Sequence, residues 1–402
     1  MCKSGKGTGQ MRVVMFYSEV ESFNFFTDQL AGEFTAKGHE VFILDSVNPL
    51  GSVGHSYGDF AQFLSGGVQG VICFDGWGLR DDFFIEIWNK YQAKAVDILM
   101  DHPLRFHPAL ERHPDNYYLF CCDQNHVEYV KKYFGSQVPF VEFMPHAGVL
   151  PPSGTPVIPF EKRKYDLLFT GTYYRPNDKF MELKQVFTEN SDLYRFYQAM
   201  YEHFLKDSAV TTEQAVLDIL EQFGWTVPDE TLRNLLRCSE YVDWAIRMYQ
   251  REQVVKVLAD SGFELYLLGR GWENHPSIHC PNIHRIDDRI PYGQTLAYMA
   301  DAKINLNVMP WFKAGTHDRI FNILLQHSLP LTDSSSWIDE NFTDGVDIQL
   351  YDLKALDRLP HITRQLLSDP VRTWEMIEKG YEKAAEQFTW KQCAEQILRV
   401  FY

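Results

Sequence analysis

Along the first 150 residues, short apolar runs alternate with stretches in which apolar positions recur at helical spacing. Arg12-Val-Val-Met-Phe-Tyr17 is apolar almost throughout and is predicted as a buried strand. Phe23 to Gly38 follows as an amphipathic helix ending on a glycine, and Glu40 to Asp45 as the next strand. Val68 to Phe74, Ala95 to Met100, Tyr118 to Cys122 and Val138 to Met144 continue the series, with helical spacing between most of them. Strands that are apolar throughout, rather than alternating, belong to a sheet covered on both faces, and helices between them make that sheet parallel. Right-handed crossovers then give a doubly wound domain of about six strands.

Pro151 to Lys164 breaks the pattern with four prolines and reads as a linker, because proline stiffens the chain and denies it a regular ladder. A second alternating series starts directly after it. Its predicted strands are Tyr165 to Thr170, Glu264 to Leu268, Ile283 to Ile286, Lys303 to Val308, Leu329 to Thr332 and Val346 to Leu350. Between the first two, residues 178–260 have almost continuous helical periodicity. One crossover helix would suffice, so this is an expanded helical insertion. Trp225, Trp244, Tyr241 and Phe223 are read as its own core; acceptor binding or homodimerisation is the functional alternative. Two helix-like stretches, Pro370 to Phe388 and Trp390 to Phe401, close the chain. The predicted organisation is a disordered tail (1–10), an N-terminal Rossmann-like domain (11–150), a linker (151–164), a second Rossmann-like domain (165–385) and a C-terminal helix (386–402) that packs back on the first domain.

Composition narrows the function. A length of 402 residues suits two cores, and 45% hydrophobic content with 15% aromatic residues fills both. The formal charge of −16 argues against duplex nucleic acid and anionic lipid as partners, since both require a cationic surface. Seven scattered cysteines without paired spacing read as reduced thiols of a cytoplasmic protein. Cys280 with His275, His279 and His284 fits no standard zinc spacing, so no metal is expected. Gly5-Lys6-Gly7-Thr8 resembles a phosphate loop only in composition, and no apolar run approaches the length of a membrane span.

Candidate chemistry gathers in the second series. Ligands of open parallel sheets sit beyond the carboxyl ends of the strands, and Gly171, Gly269, Gly271 and the Gly315 loop fall at or just after such ends. Gly171-Thr172 offers close backbone approach and unpaired amides. Arg270 is a cation between two glycines, suited to a diphosphate or to capping a surface turn. Arg319 lies just inside the helix after Gly315 and Thr316, where the helix N-terminus already favours anions, unless it pairs with Asp318 or Asp333. Trp272 packs either on a nucleotide base or into the interdomain edge. Asn307, at a strand end, reaches a ligand or makes a buried structural hydrogen bond.

Five segments stand in order: Tyr165-Asp-Leu-Leu-Phe-Thr-Gly171; Arg251 to Trp272; Ile290-Pro-Tyr292; Ala302-Lys-Ile-Asn-Leu-Asn307; and Gly315-Thr-His-Asp-Arg-Ile-Phe-Asn322 leading to Leu331-Thr-Asp333. This order resembles the CgeB-like glycosyltransferases of the spore-maturation type, within the GT-B superfamily, over roughly Met144 to Phe401. The N-terminal half resembles them in strand pattern, in Asp101-His102-Pro103 and in Met144-Pro145-His146. The resemblance implies two facing Rossmann-like domains and transfer of a hexose from a nucleotide diphosphate sugar to a glycan, protein or small-molecule acceptor. It implies no permanently bound cofactor, and some relatives act without a metal. The chain departs from it at Asn322, where relatives usually carry a glutamate that holds the donor ribose; Asp333 is the candidate substitute. On the acceptor side the candidates are Asp101, His102 and His146, with Tyr17, Ser18 and Glu19 lining the pocket. A histidine near neutrality suits general-base work, though Asp101 and His102, as strand neighbours, point apart. A non-catalytic nucleotide-sugar or partner-binding protein and a nucleotide-sugar epimerase are the alternative functions.

Overall fold

The computed structural model describes residues 9–48, 50, 54–188, 191–286 and 289–402, so the predicted tail lies almost wholly outside the described residues. The chain divides into two compact units. One runs up to Met144 and is completed by Trp390–Tyr402; the other is Pro145–Thr389.

The first unit is built on six parallel strands, β1 (Arg12–Tyr17), β2 (Glu40–Asp45), β3 (Gly70–Phe74), β4 (Lys94–Leu99), β5 (Tyr117–Cys121) and β6 (Val141–Phe143), in the order β2-β1-β3-β4-β5-β6. The inner strands are covered on both faces: all five residues of β3 are buried. Asp97 breaks the apolar run of β4. Its burial is offset by hydrogen bonds from the Gly76 N–H (2.8 Å) and the Tyr117 hydroxyl (2.8 Å). The C-terminal helix Trp390–Phe401 packs on this unit, with Trp390 against Phe26 and Phe74.

The second unit has six more parallel strands, β7 (Tyr165–Thr170), β8 (Leu265–Leu268), β9 (Ile283–Ile286), β10 (Ala302–Asn307), β11 (Leu329–Thr332) and β12 (Gln349–Leu350), in the order β12-β11-β10-β7-β8-β9. The crossover from β7 to β8 contains five helices among the described residues, from Pro176–Val186 to the long Glu240–Asp260. Within it Phe196 stacks on Trp225 and is fully buried. Chain order reverses between β7 and β10, where Leu306 pairs with Phe169 in register. Thr170 and Asn307 therefore leave the sheet side by side at its switch point, the place where open α/β sheets part their loops to admit ligands.

All eight residues of the helix Asp318–Leu325 are buried, including its polar first turn. The incoming chain lies directly on it: a Cβ on Gly148 would stand 2.6 Å from the Phe321 carbonyl carbon. Among the described residues, no helix is long and apolar enough to cross a membrane.

Candidate functional site

The switch point is formed by two loops in close backbone contact. Gly171 follows β7 and Gly269 follows β8; a Cβ on Gly269, at φ +136°, would stand 2.2 Å from the Gly171 carbonyl oxygen. Only glycine permits that approach. Beneath the loops, Trp272 is fully buried, donates from Nε1 to the Gly171 carbonyl (2.8 Å) and stacks on Tyr173 at 5.2 Å. Both readings of Trp272 at the sequence level give way: it presents no face to a nucleotide base, and it fills the core of its own unit. Arg270 is exposed, and its carbonyl accepts the Tyr173 N–H (2.9 Å).

Two buried guanidinium groups converge on this turn. A Cβ on Gly171 would meet Arg319 Nη2 at 3.1 Å and Arg251 Nη1 at 3.7 Å, and both cations lie against the Phe169 ring (5.6 and 5.3 Å). Arg319 Nη1 donates to Asn307 Oδ1 (2.6 Å), while Asn307 Nδ2 donates to Thr332 Oγ1 (2.9 Å). Asn307 therefore spends both amide groups aiming Arg319. Arg319 pairs directly with neither Asp318 nor Asp333. Arg251 donates from Nη1 to the Thr172 carbonyl, and its buried Nε has no partner. Among the described residues neither arginine has a carboxylate in ion-pair contact. Burial pulls Arg251 down to about 9, with Arg319 and Arg247 acting in the same direction. Burial lowers Arg319 as well, against the raising influence of Asp318. A pair of desolvated cations without a counter-ion is costly, and an anion between them relieves both.

Arg251 was not singled out in the sequence. A usable signal was present: Arg247 and Arg251 stand four apart on one helix, where like charges repel unless something else is bound. Arg247 is ion-paired to Asp243 (2.8 Å) and lies 4.3 Å from the Trp311 ring.

The loop before the buried helix carries a second polar group. Gly315 gives its carbonyl to Ser335 Oγ (2.6 Å), and Thr316 is fully buried. His317 Nδ1 lies 2.6 Å from Asp318 Oδ1. The Tyr292 hydroxyl donates to Asp318 Oδ2, and Asn322 Nδ2 reaches both the same carboxylate oxygen (3.3 Å) and Tyr292 Oη (3.3 Å). Asn322 Oδ1 accepts the Val149 N–H (3.0 Å). Asn322, named from the sequence as a donor-side residue whose ribose contact the missing glutamate puts in doubt, is fully buried with both amide groups engaged within the protein. Burial opposes the charge of Asp318, yet His317, His146 and Tyr292 hold its carboxyl well below the usual range.

Asp333 lies at the end of β11, accepts the Met309 N–H (2.8 Å) and lines a cavity of about 610 Å³ together with Lys313, Ser334 and Tyr351. Burial raises its carboxyl to about 7.

The three acceptor-side candidates divide between the two units. Asp101 is ion-paired to Arg105 (3.0 Å), and His102 Nδ1 accepts the Leu104 N–H (3.0 Å) at the start of a short helical turn. His146 belongs to the second unit, where its ring lies 5.6 Å from Phe312 and 6.3 Å from His317. In the first unit the Tyr17 hydroxyl donates to Asp28 (2.5 Å), and the Ser18 N–H donates to the Asn24 side chain (2.6 Å).

Residues 250–399 match the family model described as glycosyl transferase-like. No curated protein matches the chain. Among solved structures, an α-glucosyltransferase in complex with UDP and a 13-mer DNA is similar at 13% identity and a TM-score of 0.54, covering 98% of this chain and 100% of that one. Sucrose-phosphate synthase from Thermosynechococcus elongatus is similar at 9% identity and a TM-score of 0.55, covering 98% of each chain. Anabaena HepE in complex with UDP and glucose is similar at 10% identity and a TM-score of 0.53, covering 97% and 99%. With a glycosyl transferase-like stretch in its second half and two parallel six-stranded sheets, the chain has the GT-B glycosyltransferase fold.

Proposed function

We propose that this protein is a glycosyltransferase whose second unit binds the diphosphate of a nucleoside diphosphate sugar between Arg251 and Arg319, over the Gly171–Thr172 turn. The observation that carries this reading is the pair of buried guanidinium groups at the switch point of a parallel sheet, neither with a carboxylate in ion-pair contact among the described residues. When the bond from the anomeric carbon to the phosphate oxygen breaks, negative charge grows on the departing nucleotide diphosphate. Two fixed cations in a desolvated setting stabilise that charge in the transition state more than in the ground state. The sugar passes to a hydroxyl of a glycan, protein or small-molecule acceptor. Similar structures hold UDP, which makes uridine the first base to test. The motif order from Tyr165 to Asp333 supports the CgeB-like type within the glycosyltransferases. Asp333 faces a cavity of its own, and we keep it as a candidate donor contact; Asp333→Ala with unchanged donor affinity would remove it.

Calorimetric titration with UDP and UDP-glucose, and with GDP and GDP-mannose, tests the reading. Binding of one nucleotide diphosphate is expected, weakened by roughly tenfold or more in Arg251→Met and in Arg319→Met. Slow release of free sugar and nucleotide diphosphate from the bound donor marks a transferase without its acceptor. Binding with no turnover marks a non-catalytic protein, and an isomerised donor marks an epimerase.

A further inference from the structure

The His317–Asp318 contact is unaccounted for by diphosphate binding. Two hydrogen-bond acceptors would repel at 2.6 Å, so a proton lies between Asp318 Oδ1 and His317 Nδ1. Asp318 is held as the carboxylate, which puts that proton on the imidazole. The Arg319 N–H also approaches Nδ1 (3.2 Å), but that nitrogen cannot both donate to the carboxylate and accept from the backbone; the shorter, charge-assisted contact decides. Burial, and Arg319 beside it, lower the pKa of the imidazole and favour its neutral form, so the proton on Nδ1 sets the tautomer and Nε2 keeps its lone pair. The imidazole is not sealed in: 22% of its side chain is accessible, and it stands two residues before Arg319.

The carboxylate is itself fixed from behind. Tyr292 and Asn322 both donate to Oδ2, while Oδ1 receives His317. This explains the asparagine at position 322. A glutamate there has no N–H to give and would bring a second negative charge against Asp318.

We propose that His317 Nε2 accepts a hydrogen bond from a sugar-type hydroxyl next to the diphosphate. Asp318 positions the imidazole, and Tyr292 and Asn322 position Asp318. The hydroxyl belongs either to the donor sugar or to the attacking acceptor, water included. This inference rests on the diphosphate reading of Arg251 and Arg319. The charged and titratable groups facing His317 are Asp318 and Arg319 on the helix it precedes, Arg251 on Glu240–Asp260, and His146 on the chain entering the unit.

The test uses the full chain with UDP and UDP-glucose, and with GDP and GDP-mannose, measuring dissociation constants and donor hydrolysis from pH 5 to 9. Two variants are compared with wild type: His317→Ala, and His317→Asn, whose amide still donates to Asp318 but has nothing in the place of Nε2. Nucleotide diphosphate affinity is expected to stay within threefold of wild type in both. A loss of tenfold or more confined to the nucleotide sugar assigns the hydroxyl to the donor. Unchanged donor affinity with hydrolysis down tenfold or more assigns it to the attacking group. For the positioning role, Asn322→Asp is expected to shift the acid limb of the hydrolysis profile, a readout that loss of fold alone does not move. The inference is overturned if the His317 variants match wild type in sugar affinity and hydrolysis, or if they weaken nucleotide and nucleotide sugar equally. Wild-type protein that binds none of the four ligands overturns the diphosphate reading, and this inference with it.

Discussion

Arg251 shows at the scale of one residue how function opposes stability. Its guanidinium is buried beside a second one, with a backbone carbonyl and the Phe169 ring for relief but, among the described residues, no carboxylate in ion-pair contact. Replacement by methionine, of similar length, is expected to stabilise the empty protein by roughly 1–3 kcal/mol in urea unfolding while weakening nucleotide binding. A destabilised variant with unchanged affinity would make the residue structural. Asp333 makes a complementary case. Its folded value of about 7 lies above that of an unfolded aspartate, so its protonated form favours the fold at low pH and that contribution is lost as pH rises toward 7. Asp333→Asn keeps the acceptor for the Met309 N–H and avoids burying a charge. Its stability relative to wild type is expected to climb between about pH 4 and 7 and to level off above, by roughly 2–4 kcal/mol. A pH-independent difference would contradict the assignment.

At the scale of elements, the turns after β7 and β8 act as one piece, because Gly269 leaves no room for a side chain against Gly171. Gly269→Ala demands a backbone shift at a positive φ and is expected to cost about 1–3 kcal/mol. The displaced Gly171–Thr172 turn should also weaken nucleotide binding; loss of stability with intact affinity would separate the turn from the site. Several elements were legible from periodicity alone: Arg12–Tyr17, Tyr165–Thr170, Ile283–Ile286 and Leu329–Thr332 are strands with the predicted bounds. Other strands are shorter than predicted, two of them by three residues or more. Val138 to Met144 shortens to β6 because the Gln137 and Val138 N–H groups turn back to Phe134 and end the preceding helix. Val346 to Leu350 shortens to β12 because the Val346 and Asp347 N–H groups return to the Thr343 carbonyl in a turn. Apolar content marked both segments, but backbone pairing set their ends.

On the scale of the whole molecule, each unit has its own sheet and core, so each is a candidate cooperative unit of unfolding. A nucleotide that binds only folded Pro145–Thr389 stabilises that unit by about 2.7 kcal/mol at a hundred times its dissociation constant. Calorimetric scans are expected to show two transitions, with UDP or its counterpart moving one of them; equal movement of both would mean the units unfold together. The sequence by itself determined the two parallel αβ series, the long helical insertion and the glycine-marked strand ends, because these are written in residues close along the chain. It also pointed to Arg319, through its place at a helix start. Only the tertiary structure decided that Arg251 joins Arg319, that Trp272 is core, that Asn307 aims a cation and that Asn322 holds Asp318. Those assignments depend on which side chains meet across distant segments and on which of them are left, once buried, without a partner.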